Sequence, residues 1–192
     1  MTDTLGVFYG SRMANNLFYS IKINSAVVIW NLLEVTDRYR STVPRATWVE
    51  SDKIHITLRF LGKEADRDAN RDFDTLAKAC ANQREIRLDV KGTGTFNTKA
   101  GPRVLFAKIG DGFTRLHDLF RELGGTGSYT PHITIAKLEA AGDTSHEFGR
   151  IAEELKDKAY GKILVTDVLL CRTEGGGKPY TTLASHRLVG EP

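Results

Sequence analysis

The segment KIHITLRFLG, residues 53–62, returns almost unchanged 77 residues later as TPHITIAKL, residues 130–138. Each copy alternates polar and aliphatic residues, the pattern of a strand buried on one side. Successive side chains of a strand point to opposite faces. His55 and Thr57 therefore share one face, while Ile54, Ile56, Leu58 and Phe60 share the other. The second copy sets His132 and Thr134 against Ile133 and Ile135 in the same way. A chain that carries this half-polar strand twice must bury two apolar backs and leave two polar fronts accessible. Two similar lobes, each holding one copy, meet that requirement.

The rest of the chain supplies elements for such lobes. LFYSIKI (17–23) is β-rich. Asn24 and Ser25 are cap residues before AVVIWNLLEVTDRY, a predicted helix in which Val27, Trp30 and Leu33 share a face. ATWVE is a short strand. EADRDANRDFDTLAKACANQ is amphipathic, with Phe73, Leu76, Ala77 and Cys80 on its apolar side. EIRLDVKGTGTF alternates as a strand, and its glycines imply a bend or a close backbone approach. RVLFAKI is an apolar strand, and FTRLHDLFRELGG is a helix stopped by Gly124 and Gly125. HEFGRIAEELKDKAY reads as a helix closed by Gly161. KILVTDVLLCR and YTTLASHRLV are strands joined by the turn-rich TEGGGKP.

Residues 1–15 show no clear period and are expected to be a loose lead-in, with residues 16–192 forming a single bilobal domain. The expected fold is α+β: two pseudo-symmetric lobes of mostly antiparallel sheet with outer helices. One His-x-Thr strand per lobe faces a central cleft.

Composition narrows the partners. The net charge of +3 suits an anionic ligand or a short nucleic acid, and no lysine or arginine run provides a footprint for a long duplex. Cys80 and Cys171 lack metal-type or CxxC spacing and read as free thiols in a reducing compartment. AVVIWNLLEV is too short and interrupted to span a bilayer, and the N-terminus has no signal-peptide pattern. A cytoplasmic or nuclear monomer is expected, with no membrane association and no protein partner.

If the two fronts face each other, two imidazoles and two hydroxyls converge. That set fits phosphodiester chemistry. One neutral histidine takes a proton from the nucleophile, and one protonated histidine gives a proton to the leaving oxygen. Hydroxyls hold the non-bridging phosphate oxygens. Such a scheme needs no metal and no cofactor, and no carboxylate or cysteine cluster surrounds either histidine.

At these residues the chain resembles the 2H phosphoesterase superfamily, defined by two His-x-Thr/Ser motifs, one per lobe. LFYSIKI, WVESDKIHITLRFLG, GTFNTKAGPRVLFAKI and YTPHITIAK resemble the bacterial and archaeal RNA 2′,3′-cyclic phosphodiesterases, once called 2′-5′ RNA ligases. The tail VTDVLLCRTEGGGKPYTTLASHRL is also similar to a eukaryotic branch. That branch includes the central domain of an A-kinase anchoring protein and 2′,5′-oligoadenylate-cleaving domains. The resemblance implies that His55 and His132 are the acid–base pair and that Thr57 and Thr134 hold the phosphate. The implied partners are RNA ends, 2′,5′-oligonucleotides or small nucleotides. The implied activity is cleavage of 2′,3′-cyclic phosphates or 2′,5′ linkages, with a nucleotide- or RNA-end-binding module of little turnover as the alternative.

Other residues are secondary candidates. By alternation Arg59 follows Thr57 on the polar face and can reach a phosphate. Tyr180, Tyr129, Trp48 and Phe96 can stack a base, Tyr180 foremost because it follows a flexible glycine turn. EGGGKPY and KGTGTF lack phosphate-loop and dinucleotide spacing and read as turns or bends. His117, His146 and His186 do not repeat the motif and are expected to be structural or surface residues.

Overall fold

The computed structural model describes residues 15–98, 101–138, 145–175 and 178–190. The lead-in expected for residues 1–15 lies outside them except for Asn15. Within them nine strands form one continuous, mostly antiparallel sheet: β1 (Asn16–Lys22), β2 (Ala46–Trp48), β3 (His55–Lys63), β4 (Ile86–Thr98), β5 (Gly101–Ile109), β6 (His132–Leu138), β7 (Ala159–Val165), β8 (Asp167–Arg172) and β9 (Thr181–Arg187). Among the described residues four α-helices accompany it: α1 (Ala26–Tyr39), α2 (Ala69–Cys80), α3 (Phe113–Glu122) and α4 (Ser145–Glu154). No helix among the described residues is long and apolar enough to cross a membrane.

The strand order β7-β4-β5-β6-β3-β1-β8-β9 contains a pseudo-dyad between β6 and β3. One lobe is β3-β1-β8-β9, backed by α2 and α3; the other is β6-β5-β4-β7, backed by α1 and α4. The expected pseudo-symmetric α+β architecture is therefore present, but the lobes are not successive halves of the chain. The helix that follows β1 packs on the opposite lobe, against β7. KILVTDVLLCR is not one strand. It breaks at Thr166, where the chain crosses from the edge of one lobe to the interior of the other.

Helix orientation departs from the sequence periodicity in two places. In α1 the buried stripe is Val28, Leu32, Val35 and Tyr39, and Val27 and Trp30 are 63% and 73% exposed. Both stripes are apolar, but a helix lying on a sheet buries only one. Asn31 Nδ2 donates to the Tyr160 carbonyl at 2.8 Å and fixes the rotation. In α2 the inner residues are Asp72, Leu76, Ala79 and Cys80, while Phe73 and Ala77 face outward. A buried carboxylate is tolerated there because Arg67 pairs with it through Nε at 3.1 Å and through Nη2. The Tyr19 hydroxyl also donates to the Asp72 carbonyl at 2.8 Å. Gly161 lies inside β7 rather than closing α4, which ends at Glu154.

The core lies between the sheet's apolar side and the helices. Ile21, Ile56, Leu58, Leu105, Ile133 and Ile135 from the strands meet Leu76, Leu116, Leu119, Phe148 and Ile151 from the helices. Both cysteines are buried free thiols. A smaller cluster of Phe18, Leu169 and Cys171, with Tyr180 packed on it, stands apart from this core. It belongs to the helix-free front of the sheet.

Candidate active site

The two motif strands meet at the pseudo-dyad. Ile56 pairs with Ile133 in an antiparallel bridge. In that register His55 lies across from Thr134, and Thr57 across from His132. The two aliphatics between them are fully buried and aim all four polar side chains at the front.

Both imidazoles are held by the same device. His55 Nδ1 lies 2.7 Å from the Lys53 carbonyl, and His132 Nδ1 lies 2.8 Å from the Thr130 carbonyl. A carbonyl only accepts, so Nδ1 of each ring carries the proton and donates it. Each Nε2 is left as a lone pair. The Thr57 hydroxyl donates to His55 Nε2 at 3.0 Å. Aromatic rings box each imidazole. Phe18 and Tyr180 have ring centroids 5.5 and 5.0 Å from His55. Phe96 and Phe106 stand 4.8 and 5.2 Å from His132. Gly94 makes room on that side, since a Cβ there would come within 2.9 Å of the Phe106 ring.

This boxing sets the protonation states. Burial pushes the His55 pKa down to about 4, against a partial upward pull from the Lys53 carbonyl, with smaller downward pushes from Lys137 and His132. Burial also lowers His132, opposed by the Thr130 carbonyl and assisted by Lys137. Both rings are therefore neutral at neutral pH in the ligand-free protein. Lys137 acts on both rings, which puts its ammonium in the same cleft. It is exposed, yet surrounding protein lowers its pKa by desolvation, as in a concavity.

Alternation alone would put Lys137 on the buried face with Ile133 and Ile135. A bulge decides otherwise. Phe106 pairs with Thr134 and Leu105 with Ala136, so Ile135 is extra and Lys137 turns to the front. The signal was present in the letters: the adjacent apolar pair Ile135–Ala136 breaks the alternation just before Lys137.

The first motif strand has the same bulge at the equivalent residue. Ser20 pairs with Thr57 and Tyr19 with Arg59, leaving Leu58 unpaired. This slip carries Arg59 away from Thr57. The Arg59 guanidinium instead donates through Nη1 to the Leu123 carbonyl at the end of α3. The alternation behind the expected phosphate contact of Arg59 does not hold beyond Thr57. Phe60 takes the front position instead, 50% exposed and 5.9 Å from Phe18.

The remaining candidates separate clearly. Tyr180 lies in the cleft edge-on to His55, and its hydroxyl is buried without a hydrogen-bond partner among the described residues. Phe96 stacks on Phe106 at 4.3 Å beside His132. Trp48 is a core residue, with Nε1 donating to the Val43 carbonyl. Tyr129 stacks on Phe120 and donates through its hydroxyl to the Thr57 carbonyl at 3.0 Å, bracing the motif strand. His117 packs among Phe113, Phe120 and Tyr129 away from the cleft. No three His, Cys, Asp or Glu side chains are grouped as metal ligands among the described residues.

Residues 30–177 match the model of the 2′-5′ RNA ligase superfamily. The chain belongs to that superfamily. The family match contains both motif strands, and the 2H phosphoesterase resemblance is thereby shown. An RNA 2′,3′-cyclic phosphodiesterase of Aquifex aeolicus is 26% identical over 121 residues, covering 56% of this chain and 64% of that protein. Matches to two further relatives of the same name span 54% and 51% of their lengths. The crystal structure of TT0787 of Thermus thermophilus superposes with a TM-score of 0.70 at 27% identity, covering 92% of this chain and 100% of that one. E. coli LigT complexed with 3′-AMP has a TM-score of 0.63 at 19% identity, covering 92% and 98%, and is alike in fold. The bilobal 2′-5′ RNA ligase fold is thus present over most of the chain.

Proposed function

We propose that this protein is a metal-independent phosphodiesterase that hydrolyses 2′,3′-cyclic phosphates at RNA ends by two-histidine acid–base catalysis. The observation that carries the proposal is the mirrored anchoring of the two rings. Each Nδ1–H is tied to a carbonyl two residues earlier, which leaves each Nε2 as the proton-exchanging lone pair, that of His55 accepting from the Thr57 hydroxyl until substrate enters. The relatives' name supplies the substrate class, and the fold is shared with LigT, whose crystal structure is of a complex with 3′-AMP.

Hydrolysis then runs as follows. One Nε2 takes a proton from water as its oxygen attacks phosphorus. The other, protonated, gives its proton to the ribose oxygen as the P–O bond breaks. Lys137 and the hydroxyls of Thr57 and Thr134 hold the non-bridging oxygens. An entering phosphate raises both depressed histidine pKa values, because it brings negative charge to rings that burial keeps neutral. Substrate binding thereby charges the acid. The Thr57 hydroxyl leaves His55 Nε2 and turns to the phosphate in the same step.

A 2′,5′-linked oligoadenylate fits the same pair, with the neighbouring 3′-hydroxyl as nucleophile in place of water. Arg59 is given no phosphate role, and Tyr180 supports the His55 ring and one wall of the cleft. The test is turnover of 2′,3′-cyclic nucleotides and of 2′,5′-oligoadenylate in EDTA. We expect cyclic phosphates to be hydrolysed, with kcat/KM lowered ~10²–10⁴-fold by His55→Ala and by His132→Ala. Activity lost in EDTA would sink the metal-independent mechanism. Nucleotide binding without turnover of either substrate would make the protein a binding module instead.

A further inference from the structure

The ladders beside the two motif strands also match across the dyad. Lys22 of β1 pairs with His55, and Lys108 of β5 pairs with His132. The two lysines have different surroundings. The Lys108 stem lies over Gly92 and Gly94, where a Cβ on Gly94 would come within 2.9 Å of it. Lys22 opens into a cavity of about 310 Å³. The cavity has a structural cause. Pairing of β1 with β8 runs from Leu17–Arg172 to Ser20–Leu169 and then stops, so the strands part just before Lys22.

Lys22 shares a strand face with Phe18 and Ser20, and Phe18 touches the His55 ring on that face. The cavity therefore lies on the same face of the sheet as the His55 side of the cleft, with Lys22 paired to His55 at its rim. Its walls are mixed: Leu164 and Leu169 are apolar, Asn24 and Ser185 are polar, and Asp167 is acidic. Asp167 accepts hydrogen bonds from Thr166 Oγ1 at 2.7 Å and from Ser185 Oγ at 3.5 Å. Among the described residues Lys22 makes no ion pair. The cavity's volume suits a small ligand group with both an apolar and a polar surface.

We infer that this cavity is a subsite for the nucleotide preceding the one that carries the cyclic phosphate, with Lys22 pairing with the phosphate that joins the two. The inference rests on the RNA-end reading of the histidine cleft and deepens it. The site then favours a polynucleotide end over a free cyclic mononucleotide. Lys22 takes the linking phosphate, Leu164 and Leu169 bracket the base, and Asp167 accepts from ribose hydroxyl or base N–H groups.

The test compares kcat/KM for adenosine 2′,3′-cyclic phosphate with that for a diadenylate ending in the same group. We expect the dinucleotide to be preferred by about tenfold or more, a charge-assisted contact being of that size. Lys22→Ala and the groove-filling Ser185→Trp should each bring the ratio close to one. Equal kcat/KM for both substrates in the unaltered protein overturns the subsite and leaves the cleft reading intact. An undiminished ratio in both variants also overturns it. Hydrolysis of neither substrate by the unaltered protein overturns the cleft reading and the subsite with it.

Discussion

At the residue scale, the cleft combines two neutral rings with one cation. His55 and His132 are kept neutral by burial, and Lys137 makes their protonation still harder. A lysine beside two imidazoles opposes their protonation until an anion arrives. Its place is explained if it is the anion's partner. Lys137→Ala should lower kcat/KM for a cyclic phosphate by about tenfold to a hundredfold, the size of a charge-assisted hydrogen bond lost. Lys137→Arg should restore most of it, because the guanidinium retains the charge and the donors. Steady-state kinetics on the two variants checks this. Full activity in Lys137→Ala would remove Lys137 from the phosphate site.

At the scale of elements, the paired bulges at Leu58 and Ile135 matter most. They are equivalent positions of the two motif strands, and each is followed two residues later by a front-facing side chain, Phe60 in one lobe and Lys137 in the other. One duplicated distortion thus gives the cleft an aromatic side and a cationic side. The same bulge leaves Arg59 as a clasp between β3 and the end of α3. Its guanidinium donates to Leu123, and a Cβ on Gly124 would come within 2.6 Å of it. Gly124 has φ +77, which favours glycine. Arg59→Ala should therefore destabilise the fold by about 1–2 kcal/mol, while kcat/KM stays within about threefold. Chemical denaturation and kinetics on one preparation distinguish the roles. A large loss of kcat/KM at unchanged stability would return Arg59 to the phosphate site.

At the scale of the whole molecule, the interleaved lobes tie the motif strands into one sheet, and site chemistry is linked to global stability. The folded-state pKa of His55 is about 4, against 6.5 unperturbed. Between those values the unfolded chain binds more protons than the folded one, so stability falls as pH drops from 6.5 toward 4. Above pH 6.5 the ring is neutral in both states and the effect vanishes. His132 is shifted in the same direction. His55→Gln should flatten the decline of Tm between pH 6.5 and 4 relative to the unaltered protein. Differential scanning calorimetry across that window checks it; parallel slopes would mean that the ring is not neutral when folded.

The letters were enough to identify local properties. The alternation in HITL and HITI paired His55 with Thr57 and His132 with Thr134, and the helices and most strands were legible from period and capping. Alternation is a property of neighbouring residues, so one strand suffices to reveal it. Packing between distant segments settled the rest. A bulge exists only relative to a partner strand, so the turning of Lys137 inward and of Arg59 away needed β5 and β1 in place. The exposed Val27 and Trp30 of α1 form as good an apolar stripe as the buried one, and contact with β7 chose between them. The crossing at Thr166 was hidden because apolar runs flank the single polar pair Thr166–Asp167 on both sides, and periodicity cannot show to which lobe a strand belongs.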